Sequence, residues 1–131
     1  MSSQVVDVVR RTVTAFAAGD HDALFDLMSE DVEFFALRSA TEGTFKGQDG
    51  LRAFLADNRE SFEIFEPLHD DFRDVGDGRV LAFGMIRIRG RESGVETEVP
   101  SAVLATIREG RIVHFKDYGD RQAALEAAGL A

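Results

Sequence analysis

Residues 61–119 leave little room for anything except strands joined by tight turns. Four runs, "SFEIFEPLHDDFRDV", "VLAFGMIRIRGR", "VETEVPSAVLATIR" and "RIVHFKDYG", are rich in β-branched and aromatic residues. Only "VGDGR", "SG" and "EG" separate them. A parallel neighbour needs a crossover of roughly a dozen residues or more, so connections this short admit antiparallel pairing alone. Pro67 marks a bulge or an edge position in the first run, because proline cannot donate to a strand ladder.

The first half has a different period. Val5, Val9, Val13 and Phe16 recur at helical spacing and predict a helix over 3–18, with Ser2 or Ser3 as its cap and Gly19 just past its end. Asp20 caps a second helix, "HDALFDLM", whose Leu24, Leu27 and Met28 face inward. "VEFFAL" at 32–37 predicts a short strand, and the polar, glycine-punctuated "RSATEGTFKGQDG" a loop. A third helix follows over 48–58, with Leu51, Phe54 and Leu55 on one side, and Asp120 caps a last one, "RQAALEAAG". "GQDG" reads as a turn and helix start rather than an anion cradle, since no Lys-Ser/Thr pair accompanies it. Helices first and an antiparallel meander second make an α+β chain, a single domain over 1–131.

Composition removes several function classes. A net charge of −9 opposes binding to a phosphate backbone or an anionic membrane surface, so neither nucleic acid nor membrane is an expected partner. With no cysteine there is neither disulfide nor thiolate chemistry. The first residues lack a basic segment followed by an apolar one, and no run approaches eighteen apolar residues, so the expected location is cytoplasmic.

Two-residue turns at "SG" and "EG" fix a register. Arg89 then opposes Glu98 and Arg91 opposes Glu96, two favourable cross-strand pairs. Asp117 opposes Ala102, and Ala102 opposes Met85. One face collects Leu81, Phe83, Met85, Leu104, Val113, Phe115 and Asp117. Arg87 lies diagonal to Asp117 on that face. The other face collects Val80, Ala82, Ile86, Ile88, Val103, Ala105, Ile107, Ile112 and His114. The first, with its aromatic residues, is expected to surround a cavity under the helices. The second, flat and aliphatic, is the expected outer face for a homodimer.

Three stretches, "AFAAGDHDALFDLMSEDVEF", "FKGQDGLRAF" and "REGRIVHFKDYGDRQAALEAAGL", resemble the SnoaL-like branch of the nuclear-transport-factor-2-like superfamily. The resemblance covers nearly the whole chain. It implies a cone-shaped, strongly curved antiparallel sheet with N-terminal helices packed over an apolar pocket, usually in a dimer. It points away from ketosteroid isomerases: Phe34 follows Val32-Glu33 where their base stands, and the positions similar to their tyrosine and second acid hold Thr12 and Ala105. Limonene epoxide hydrolases end their last strand with a similar aspartate before tyrosine, which implies a catalytic role for Asp117. Their Arg-x-Asp pair has no counterpart, since "IRIR" offers Arg87 and Arg89 and no acid. SnoaL-type cyclases use a single pocket aspartate as acid and base, a role open to Asp117.

The expected function is therefore binding of a small hydrophobic molecule, with cofactor-free acid–base chemistry of isomerase, cyclase or epoxide-hydrolase type. Asp117 would move the proton and Arg87 would orient it, among Phe16, Phe34, Phe54, Phe83, Met85, Leu104 and Phe115. The alternative is a non-catalytic ligand-binding or dimerisation module in which Asp117 is held by Arg87 as an ion pair. No metal or cofactor is expected, because His21, His69 and His114 show no ligand spacing. His69 reads as a partly exposed strand residue, His114 as an interface or surface one, and Tyr118 lies opposite Asp117.

Overall fold

The computed structural model describes residues 3–35 and 45–130. The end of the first predicted strand, most of the loop after it and the alternative cap Ser2 lie outside the described residues. The elements run α1 (Gln4–Ala18), α2 (His21–Leu27), β1 (Met28–Phe35), β2 (Phe45–Lys46), α3 (Gly47–Ser61), β3 (Phe62–Gly76), β4 (Arg79–Gly90), β5 (Glu96–Arg108), β6 (Arg111–Asp117) and α4 (Arg121–Ala127). Six strands form one sheet in the order β2-β1-β6-β5-β4-β3. All neighbours are antiparallel except β1 and β6, whose parallel pairing lets the first strand join the far end of the meander.

Local chemistry explains the element ends. Ser3 accepts from the Val6 N–H at 3.3 Å and donates to Asp74 at 2.7 Å, so the cap of α1 also ties it to β3. Gly19 ends α1 at φ 69°, a left-handed conformation that a Cβ disfavours. Asp20 and Asp120 cap α2 and α4 through their carboxylates. Asp77-Gly78 and Glu109-Gly110 are both left-handed pairs, the turn type whose twist matches that of the flanking strands.

Two departures from the expected register decide which way the side chains face. The "SG" connection is a five-residue loop from Arg91 to Val95, so Arg89 pairs with Glu96 and Arg87 with Glu98. That shift is even and preserves the faces, though Ala102 now pairs with Phe83 instead of Met85. In the second hairpin the "EG" turn forms as expected and Arg108 faces Arg111. Between the pairs Ile107–Ile112 and Thr106–His114 the residue Val113 is left over, a β-bulge. From there Asp117 pairs with Val103, not Ala102, and a slip of one residue turns every later side chain to the opposite face. The cause is burial: Ile112 is fully buried and Phe115 packs on the same core, and strict alternation cannot place residues three apart on one side.

The helix-covered face therefore combines Val80, Ala82, Ile86, Val103, Ala105, Ile107 and Ile112 with Phe115 and Asp117. The aliphatic face, expected to lie outermost, is thus the one that the chain's own helices cover. Its small side chains leave space for phenylalanines from α1, α3, β1 and β3. Phe83 and Leu104, expected around the cavity, lie on the opposite face, where α4 covers them with Ala124 and Ala128. Met85 lies on that face too, paired with Pro100. His114 faces outward against Phe35, with ring centroids 5.2 Å apart. Tyr118 packs with the α4 cluster, still opposite Asp117, although the bulge has exchanged the faces of both. No helix among the described residues is long and apolar enough to cross a membrane.

Phe54 is the centre of the aromatic packing. Its ring lies 4.7 Å from Phe34, 5.2 Å from Phe45, 5.9 Å from Phe16 and 6.3 Å from Phe65. Truncation to alanine removes contacts to four rings that cannot all collapse into the vacated space. Phe54→Ala is expected to cost about 3–5 kcal/mol, read from the urea midpoint at unchanged m-value. A loss below about 1 kcal/mol would show that the cluster does not hold α3 on the sheet.

Candidate functional site

Between α1, α3 and the inner sheet face lies a cavity of about 180 Å³. Phe16, Phe34, Phe54 and Phe115, all expected as lining, do line it, and Phe62, Phe65, Ile86, Ile88, Val99 and Val103 complete most of the wall. Four polar side chains interrupt this surface: Thr12, His69, Ser101 and Asp117. Thr12 is already committed, donating its hydroxyl to the Val8 carbonyl at 2.8 Å.

The other three form a chain. Asp117 ends β6 and is 9% exposed. Its Oδ1 accepts from the backbone N–H of Ala102 at 3.1 Å and of Gly119 at 2.9 Å, and its Oδ2 accepts from the Ser101 hydroxyl at 2.6 Å. The Gly119 contact is the short-range turn that aspartate side chains make with backbone two residues on. Ser101 is diagonal to Asp117 on the same face, within reach of a short side chain. The His69 Nε2 lies 2.8 Å from Ser101 Oγ. The Ser101 hydroxyl has one proton and gives it to the carboxylate, so Nε2 must carry the proton in the remaining bond. His69 is thus the Nε2–H tautomer, and its Nδ1 is a bare lone pair. That Nδ1 is buried and has no hydrogen-bond partner among the described residues.

Gly84 makes this geometry possible. His69, Gly84 and Ser101 are register partners across β3, β4 and β5, so about 10 Å of backbone separates the histidine from the serine. With no side chain at Gly84 the β3 backbone at Leu68 and His69 can come close to the middle strand. A Cβ there would collide with the Leu68 carbonyl oxygen and lie 2.6 Å from the His69 Cα. Beyond His69, β3 bulges at Asp70 before pairing resumes at Asp71.

Burial pushes the His69 imidazole below its ordinary value near 6.5, while the negative charges of Asp117 and Asp70 oppose the shift. His69 is therefore neutral at pH 7.

Arg87 is not part of this site. It points away from the cavity, with Nε 3.2 Å from Glu66 and Nη1 3.4 Å from Glu96, and its side chain is 41% exposed. The expected Asp117–Arg87 pair fails because the Val113 bulge puts the two on opposite faces. Sequence reasoning missed Ser101; His69 is half-buried, as the reading of a partly exposed strand residue expected, but its ring also lines the cavity. A signal was present: a lone glycine inside a strand marks a close approach of backbone or side chain. Among the described residues no three His, Asp or Glu side chains are grouped to hold a metal ion.

The SnoaL-like domain model matches residues 9–115. The chain belongs to that family. An uncharacterized protein of Mycobacterium tuberculosis is 32% identical to this SnoaL-like domain over 124 residues, covering 93% of each chain. Among solved structures, an NTF2-like protein of unknown function from Burkholderia pseudomallei superposes with a TM-score of 0.81 at 21% identity, over 95% of this chain and 97% of that one. TerC, crystallised with polyporic acid, gives 0.80 at 21% identity, over 97% and 99%. At these identities the structural neighbours establish the fold.

Two outcomes follow for this SnoaL-like domain. Gly84→Ala should force β3 away from β4, cost about 1–3 kcal/mol and shift the His69 imidazole signals in NMR spectra. Wild-type values of both would show that the glycine is dispensable. The second concerns pH. Below about 6.5 the unfolded chain protonates His69 while the folded protein resists, so stability falls as the solution is acidified from pH 7 towards 5. Thermal denaturation of His69→Gln should show a shallower fall over that window. Parallel curves would place the acid sensitivity elsewhere.

Proposed function

We propose that this SnoaL-like domain binds a small, largely apolar molecule in the cavity and moves a proton on it without a cofactor, with His69 as the base. The observation that carries this reading is the buried, unpartnered Nδ1 on a cavity-lining ring whose other nitrogen is tied down. A general base must present a lone pair to its substrate, and Nδ1 is the one left uncommitted. Asp117 is a positioning group here rather than the base. Its oxygens already accept three hydrogen bonds, and its charge acts through Ser101 to favour the imidazolium formed when Nδ1 takes a proton. The nucleophilic alternative for Ser101 is disfavoured, because its proton points at Asp117 and the histidine donates to it. A reaction of isomerase or cyclase type, which needs a proton removed next to a carbonyl, suits this arrangement.

The three hydrogen bonds that Asp117 already accepts support a second reading, a non-catalytic binding module. One measurement separates them. Exchange of the acidic α-hydrogens of 2-indanone in D₂O can be followed by loss of the proton NMR signal. Under the catalytic reading the protein accelerates exchange above buffer, and His69→Gln loses about 10²–10⁴-fold of that acceleration. Arg87→Gln should leave the rate unchanged, since its guanidinium lies across the sheet. Binding of 2-indanone without any acceleration would support the module, and full activity in His69→Gln would remove histidine from the mechanism.

A further inference from the structure

We infer that the cavity selects a neutral, single-ring molecule bearing one hydroxyl or N–H donor, such as a phenol, and rejects both its methyl ether and its carboxylate analogue. This rests on the preceding assignment of Nδ1 as the site's free basic atom, and extends it to the ligand.

Size comes first. A dry apolar cavity of about 150 Å³ admits benzene, so about 180 Å³ suits one substituted ring. The lining agrees, with the ring faces and edges of Phe16, Phe54, Phe65 and Phe115 set to pack on a flat aromatic ligand.

Polarity comes next, by elimination. The Thr12 hydroxyl donates to Val8, the Ser101 oxygen lies between His69 and Asp117, and three donors occupy Asp117. The hydroxyl and carboxylate oxygens thus each have at least one partner; the His69 Nδ1 alone of the lining side-chain nitrogens and oxygens is buried with none among the described residues, and no side-chain donor is spare. A buried acceptor left unmatched costs free energy, so a ligand that brings a donor gains over an isostere that lacks one. A ligand with only acceptors, a ketone included, gains no such hydrogen bond and can offer Nδ1 only a C–H.

Charge comes last. No lysine or arginine lines the cavity among the described residues, and the one ionic group on its wall is the Asp117 carboxylate. An anion would enter an apolar space beside a like charge, which excludes carboxylates and phosphates.

The test uses three matched probes: para-cresol, 4-methylanisole and 4-methylbenzoate, titrated calorimetrically into the protein at pH 7.5. The expected result is that para-cresol binds about tenfold or more tightly than each of the others, and that His69→Leu brings para-cresol and 4-methylanisole within about twofold. If His69→Leu does not fold, ¹⁵N-histidine NMR of the wild-type protein replaces it. The Nδ1 resonance should move when para-cresol binds and stay when 4-methylanisole binds. Equal affinities of the phenol and the ether, tighter binding of the benzoate, no binding by any probe, or an unmoved Nδ1 signal with para-cresol bound would overturn the inference. Because binding is read without turnover, its outcome is independent of the indanone exchange. Phenol preference without exchange would remove catalysis and keep this ligand class, and exchange without preference would do the reverse.

Discussion

A carboxylate on the wall of an apolar cavity is tolerable only if donors meet its oxygens, and the arrangement around Asp117 follows from that requirement. The donors come from two places: Ser101 and Ala102 on β5, and Gly119 just after β6. Together they pin the end of β6 to its neighbour, where the Tyr118 N–H also bonds the Ala102 carbonyl at 2.8 Å. The Gly119 contact sets the turn that delivers Asp120 to cap α4, and α4 covers the opposite sheet face. One buried side chain thus links the cavity wall, the end of the sheet and the outer helix.

The same requirement gives the site its polarity. Ser101 spends its proton on Asp117 and must then accept, so the histidine bonded to it has its tautomer chosen from two residues away. The order of the chain sets the protons: with serine in the middle, the histidine carries its proton on the nitrogen facing Ser101 and keeps a lone pair on the far one. Gly84 contributes by having no side chain, since a Cβ there would meet the β3 backbone at Leu68 and His69.

The legible parts of the fold were those decided by short-range forces. Ser3, Asp20 and Asp120 stand at caps because their side chains bond N–H groups within three residues. Asp77-Gly78 and Glu109-Gly110 turn because these pairs take left-handed conformations readily. Phe16, Phe34, Phe54 and Phe115 line the cavity as expected, since large aromatic residues at core spacing have few other places to go. Phe83, Met85, Leu104 and Arg87 were misplaced together through a single cause. Their own strand alternates as read, but Asp117 was referred to them through a ladder with one residue too few.

The sequence by itself determined the α+β order, the antiparallel meander and an aspartate ending the last strand, because periodicity, turn chemistry and capping act over a few residues. Only the tertiary structure decided what that aspartate does. Ile112 and Phe115 both had to be buried, the strand bulged at Val113 to allow it, and Asp117 turned from Arg87 towards Ser101. Ser101 and His69 lie 32 residues apart and meet only across Gly84. No local pattern encodes that meeting, since it depends on the register of three strands at once.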